Sequence, residues 1–184
     1  MQKEKIILGI DPGTNIMGFG VIKIVDSKIT LLNSGVLSMK KEKDLGVRLK
    51  LIFEEMIRLI DTYLPDELAI EAQFFGQNVQ SMLKLGKAQG VAIAAALSRS
   101  IPFEEYAPKK IKMSITGRGT SSKEQVAAML IHILKVKSIP EPLDATDGLA
   151  AAVCHHFQSI SPNGSKKYSG WDSFLKNNPG KIKG

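Results

Sequence analysis

The sequence predicts an α/β protein with a mixed five-stranded sheet flanked by helices. Three apolar, strand-like segments come first, and a tight turn joins the second to the third, which favours antiparallel pairing. Segments with helical spacing of apolar residues then alternate with short strand-like segments, as expected for helices packed on a sheet. A chain of 184 residues, 43% of them hydrophobic, can bury such a core as one domain.

The predicted sheet begins with a meander. Residues 5–11 form an apolar run, predicted as the first strand, and Pro12-Gly13-Thr14 follows as a turn. Residues 18–26 and 28–38 are rich in β-branched and apolar residues and are predicted as the next two strands. Asp26-Ser27-Lys28 supplies the tight turn between them.

Helices and strands alternate in the rest of the chain. Apolar residues at helical spacing predict a helix from Leu45 to about Tyr63, which Pro65 ends before a short strand to Glu71. A second long helix is predicted from roughly Val79 to Ser98, and a strand near 101–107 follows. Three further helical segments complete this order, which is the pattern of the ribonuclease H-like fold. They are a basic stretch after Pro108, a helix capped by Ser121 or Ser122 that runs to about Lys135, and a last helix after Pro140 and Pro142.

Acidic residues stand at the ends of these predicted core elements. Asp11 ends the first strand, Glu71 ends the fourth, and Asp144 opens the last helix, with Asp147 three positions further on. An acid at the end of a buried strand lies at the sheet edge, and clustered anions require a cation. Carboxylate oxygens suit Mg²⁺, and two Mg²⁺ ions about 4 Å apart can catalyse phosphodiester hydrolysis. Singly, Asp11 could be only a turn former and Asp144 only a helix cap.

A basic segment is a candidate for DNA contact. The run Lys109-Lys110-Ile111-Lys112, Arg118 between two glycines, and Lys123 are expected to neutralise phosphates. Phe74-Phe75 follows Glu71 in a polar stretch, where an aromatic ring could stack on an opened base. Phe75 could equally be a core residue, and the alternative for both rings is that they anchor the core. The net charge of +7 and the pI near 9.4 agree with a polyanionic partner.

Four segments resemble the RuvC-type Holliday junction resolvases of bacteria, in the family's order and over roughly residues 5–157. They are residues 7–13, 69–71, 83–92 and 144–150. The resemblance implies a homodimeric endonuclease that makes paired symmetric nicks in four-way DNA junctions, leaving 5′-phosphate and 3′-hydroxyl ends. It makes Asp147 a fourth site acid, Phe74 the stacking residue, and Lys112 and Lys123 contacts near the scissile phosphate. It also implies dimerisation around residues 86–90, Mg²⁺ as cofactor with Mn²⁺ as a substitute, and the branch-migration complex as a further partner.

The remaining expectations concern boundaries and location. Residues 1–158 are predicted to be the nuclease domain, and residues 159–184 a flexible basic tail interrupted by Gly, Ser and Pro. A single cysteine, Cys154, and an amino terminus without a signal-peptide pattern favour a cytoplasmic protein that contacts no membrane. His155-His156 lacks a second ligand pair for zinc and is expected to finish the last helix.

Three alternative functions compete with the nuclease interpretation. Asp11-Pro12-Gly13-Thr14 also resembles the phosphate-binding start of sugar kinases and actin-like ATPases, but these need a second domain. A ribonuclease H-like enzyme that acts on structured RNA would share the same core. A protein that binds junctions without cutting them would not need the complete acid set. Mg²⁺-dependent cleavage of a four-way junction separates these alternatives.

Overall fold

A computed structural model of the protein describes residues 4–73, 78–139 and 143–160. The strands are β1 (Glu4–Asp11), β2 (Ile16–Val25), β3 (Lys28–Ser38), β4 (Glu67–Glu71) and β5 (Phe103–Tyr106). The helices are α1 (Leu45–Tyr63), α2 (Val79–Ser98), α3 (Pro108–Thr116), α4 (Lys123–Leu134) and α5 (Asp144–Ile160). None of these helices is both long and apolar enough to span a bilayer.

The five strands form one mixed sheet in the order β3-β2-β1-β4-β5. β1, β2 and β3 pair antiparallel, whereas β4 and β5 add on parallel to β1. The predicted fold class is therefore confirmed. The strand predicted near 101–107 is shorter than expected, because only 103–106 pairs with β4.

The sheet divides the hydrophobic core into two halves, and helices cover each of its faces. Alternate residues of β1 point to opposite faces, so Leu8 and Ile10 pack with α1 and α2, whereas Ile7 packs with α3, α4 and α5. Asp11 has the same parity as Ile7, and Glu71 the same parity as Ala69, which also packs on the α5 side. Both acids therefore belong to the face that α5 covers.

Local sequence signals set the helix ends. The side chain of Asp44 accepts a hydrogen bond from the Val47 amide at 2.9 Å and caps α1. Ser122, rather than Ser121, caps α4, and Gln125 completes the capping box. Lys135 follows α4 in the left-handed conformation, with φ 54°, and ends the helix there.

The sequence expectation for His155 and His156 is wrong. α5 continues to Ile160, and both histidines are buried in its second half. The Nδ1 atom of His155 lies 2.6 Å from the Tyr106 hydroxyl, and its Nε2 atom bonds to Glu67. Glu67 in turn pairs with Lys5 at 2.6 Å. His155 therefore ties α5 to β4 and β5, and neither histidine lies at the end of the helix.

Candidate active site

The strand register places Asp11 beside Glu71. Ile10 of β1 pairs with Ile70 of β4 in a parallel ladder, and each acid is the next residue on its strand. The carboxyl ends of parallel strands share one sheet edge, so the two carboxylates leave the core together. The structure thus brings together two acids that are 60 positions apart in the chain.

The acids of α5 reach this edge because the helix lies very close to β1 and β2. A Cβ atom added at Gly18, the pairing partner of Asp11, would lie 2.1 Å from the backbone oxygen of Asp144. A Cβ atom at Gly9 would lie 2.1 Å from the backbone oxygen of Gly148. Side chains at either strand position would push the helix outward. Because both positions are glycine, the first turn of α5, with Asp144 and Asp147, can lie directly over the end of β1.

The negative charge of the site is only partly offset by nearby lysines. Burial raises the pKa of Asp11 to about 7, and repulsion from Asp147 and Asp144 adds to this effect. Burial likewise raises the pKa of Glu71 to about 8, helped by the charges of Asp11 and Asp147. Neither Asp11 nor Glu71 has a cation at ion-pair distance among the described residues. Without a metal, Asp11 and Glu71 therefore keep their protons to a much higher pH than exposed carboxyl groups do.

Lys123 bridges the two acids of α5. Its ammonium lies 2.5 Å from Oδ2 of Asp147 and 3.4 Å from Oδ1 of Asp144. Burial alone would lower the pKa of Lys123, but its bonds to Asp147 and Asp144 outweigh burial and raise it. The lysine is therefore charged at neutral pH, and it stands beside the acids that the sequence assigned to metal binding.

The donor set fits a hard divalent cation. All four acids offer carboxylate oxygen, which Mg²⁺ prefers over nitrogen and sulfur donors. The raised pKa values of Asp11 and Glu71 show that a nearby positive charge would stabilise their ionised forms. Within the described ranges, no three acidic, histidine or cysteine side chains are arranged so that they could already hold a metal ion. The side chains therefore need to adjust when a cation binds, and Lys123 already holds two of them together.

The structure places some of the other residues that were predicted to contact DNA close to the acids. Lys112 lies half-buried on α3, close enough for its charge to lower the pKa of Glu71 against the effect of burial. Arg118 is exposed in a loop whose backbone is fixed, since its amide donates to Oγ1 of Thr116 at 3.2 Å and its carbonyl accepts from Ser121 at 3.0 Å. The structure therefore brings Lys112 and Lys123 to the acids, but it shows no side-chain contact that joins Arg118 to them. Phe74 and Phe75 lie outside the described residues.

Two residues near the site were not identified from the sequence. The side-chain amide of Gln73 donates to the Pro12 carbonyl at 3.2 Å and joins the segment after Glu71 to the turn after Asp11. The guanidinium of Arg48 on α1 donates to the Thr14 carbonyl at 3.1 Å and to Oδ1 of Asn15 at 2.6 Å. Their partners are distant in the chain, so neither residue belongs to a local pattern that could have identified it.

Comparison with known proteins agrees with this geometry. Residues 7–155 match the family described as "Crossover junction endodeoxyribonuclease RuvC". A protein of that name from Christiangramia forsetii is 61% identical over 183 residues, covering 100% of this chain and 95% of the relative. The relative from Cytophaga hutchinsonii is 58% identical over 98% of this chain and 89% of its own length.

One solved structure is similar to this chain in both fold and sequence. The structure described as Thermus thermophilus RuvC in complex with Holliday junction substrate superposes with a TM-score of 0.78 at 31% identity. The match covers 84% of this chain and 94% of the Thermus chain. With the family pattern matched across most of the sequence, this chain belongs to the RuvC family of crossover junction endodeoxyribonucleases.

Proposed function

We propose that this protein resolves Holliday junctions by paired, Mg²⁺-dependent nicks during recombination and repair, with Asp11, Glu71, Asp144 and Asp147 as its catalytic acids. Family membership makes the chain a crossover junction endodeoxyribonuclease. The observation that carries the residue assignment is the joint placement of Asp11 and Glu71 at one sheet edge, under a helix whose first turn supplies two more acids. The Holliday junction is proposed as the substrate because the structure of the Thermus relative is described as a complex with a Holliday junction substrate.

The chemistry divides between the bound metal and the side chains. The four acids would hold two Mg²⁺ ions per site, and Mn²⁺ could replace them. When bound, these ions would supply activation of the attacking water and stabilisation of the leaving oxygen. Lys112 and Lys123 bring positive charge close to the acids, where it would stabilise the charge that builds on a bound phosphate. Before metal binds, Asp144 and Asp147 pair with the Lys123 ammonium and keep it beside the site. Water then adds to phosphorus, the bond to the 3′ oxygen breaks, and the ends are a 5′-phosphate and a 3′-hydroxyl.

A homodimer is the proposed assembly, and α2 is its contact surface. One side of α2 is apolar and uncovered: Val79 is 65% exposed and Leu83 is 56% exposed. A Cβ atom added at Gly86 or Gly90 would have no neighbour within 4 Å, so another chain can approach this side closely. These positions lie three or four residues apart and form one stripe. A two-fold dimer would present two equivalent sites to the two like strands of a junction.

DNA contacts are proposed for one aromatic and three basic residues. Phe74 would stack on bases opened at the junction centre, whereas Lys112, Arg118 and Lys123 would contact phosphates. A cytoplasmic location follows from the proposed substrate, which is chromosomal DNA. The branch-migration complex is proposed as a partner on family resemblance alone.

The test is cleavage of a four-way junction with and without Mg²⁺. We expect paired nicks at symmetric positions in two strands of like polarity, and little cutting of a linear duplex or of structured RNA. The Asp11→Asn variant serves as the inactive control, since it lacks one proposed ligand but keeps nearly the same shape. Binding without cleavage by the wild type, or faster cutting of RNA, would refute the proposal and support an alternative function.

A further inference from the structure

We propose that a cationic cleft beside the catalytic edge binds a backbone phosphate of a DNA arm, with Lys84 as its main contact. The cleft has a volume of about 350 Å³ and lies between the turn after β1, the start of α1 and the first half of α2. Its lining residues are Thr14, Asn15, Arg48, Ser81, Lys84 and Leu85. The inference rests on the proposed function, because it assumes that the bound polyanion is junction DNA.

The positive charge of the cleft is not neutralised by an acid. Arg48 is half-buried, and its guanidinium bonds only neutral oxygens: the carbonyls of Thr14 and Glu42 and the side-chain amide of Asn15. Lys84 is exposed, and it has no ion-pair partner in the part of the chain that the structure describes. Two cations without a carboxylate among the lining residues leave a local excess of positive charge that favours an anion.

The geometry of the donors suits a phosphate. Ser81 and Lys84 lie three residues apart on α2, so a hydroxyl and an ammonium share one face of the helix. The opposite wall carries Thr14 and Asn15, and Arg48 holds this wall at two points, with bonds of 3.1 Å and 2.6 Å. Arg48 therefore fixes this wall before a ligand arrives, whereas the exposed Lys84 supplies an ammonium that can turn towards a phosphate.

The lining residues also indicate what the cleft does not bind. None of the six is aromatic, so the cleft offers no ring on which a base could stack. Contacts to phosphate position a nucleic acid without reading its sequence. We therefore assign the cleft to a backbone phosphate rather than to a nucleotide base.

The cleft is placed where a DNA arm can reach it. One wall is the turn that directly follows Asp11, and the other belongs to the helix that follows the Glu71 strand. Both walls therefore continue from the strands that present the catalytic acids. A DNA arm that leaves the scissile phosphate along this edge would pass the cleft.

The experiment measures binding of a labelled four-way junction by metal-free protein over a range of salt concentrations. Losing one phosphate contact should lower the slope of log K against log salt by about 0.9, which corresponds to about eightfold weaker binding at 0.1 M salt. We expect this loss for Lys84→Ala and substantial recovery for Lys84→Arg. Linear duplex should show the same loss, because a backbone contact does not depend on the branch.

Lys28→Ala is the matched control, because it removes the same exposed charge at the opposite end of the sheet, beside the Glu4 end of β1. It should leave the slope unchanged. Light scattering on each variant checks that α2 still supports the same assembly. An unchanged slope for Lys84→Ala, or an equal loss for Lys28→Ala, would overturn the phosphate cleft. A wild-type protein that does not bind the junction would instead refute the proposed function.

Discussion

The buried charge of Asp11 makes a quantitative prediction about stability without metal. The unfolded chain loses the Asp11 proton near pH 3.8, whereas the folded protein retains it until about pH 7. The folded state is therefore progressively destabilised as pH rises from about 4 to 7, and the full penalty persists at higher pH. One pKa unit corresponds to about 1.4 kcal/mol, so the penalty reaches about 4 kcal/mol at pH 8 and about 2 kcal/mol at pH 5.

Asp11→Asn removes this ionisation while keeping the shape of the side chain. We expect the variant to be more stable than the wild type in EDTA, with an advantage that grows by about 2–3 kcal/mol between pH 5 and pH 8. Urea denaturation at several pH values measures the difference. Added Mg²⁺ should stabilise the wild type more than the variant, because binding to the folded state adds stability by mass action.

Asp61→Asn is the control for the substitution itself. Asp61 is exposed, and its hydrogen bonds from Arg99 lower its pKa, so its contribution to stability has the opposite sign. An Asp11→Asn variant that is no more stable than the wild type at pH 8 would show that the buried charge carries no such penalty. An advantage that shrinks as the pH rises would show the same.

Four further predictions concern the site and the assembly. Asp144→Asn should abolish junction cleavage but keep or raise junction affinity, since it removes an anion near the DNA; near-normal cleavage would make Asp147 the replacement ligand. Gly18→Ala should lower cleavage and stability together, because the new Cβ would lie 2.1 Å from the Asp144 backbone oxygen; unchanged melting and activity would contradict the close packing of α5. Leu83→Glu should convert the proposed dimer to a monomer, as measured by light scattering, and abolish paired nicking; a dimer that persists would place the interface away from α2. Phe74→Ala should cost about 1–3 kcal/mol at the opening step, and less on a junction with unpaired central bases; equal losses on both junctions with a lower melting temperature would indicate a core role.

Much of the fold was readable because its signals are local. Helical spacing and a breaking proline gave the bounds of α1, Leu45–Tyr63, and the turn at 26–28 gave the hairpin of β2 and β3. Asp11, Glu71 and Asp144 were candidates for the same reason, since each ends a strand or opens a helix, whereas Asp147 was added by the family resemblance. The segment with Phe74 and most of the predicted tail lie outside the described residues, so those expectations stay predictions.

What the sequence determined by itself was the type of each element and the carboxylate donors of the proposed site, because periodicity, caps and acidic residues are encoded within a few positions. What only the tertiary structure decided was which distant groups meet. Arg48 reaches Thr14 across the fold, and His155 joins Tyr106 and Glu67 inside it. Even the approach of Asp144 to the sheet depends on Gly18, because a side chain there would collide with the Asp144 backbone. Such contacts depend on how close two backbones come, and that distance is set by packing over the whole domain.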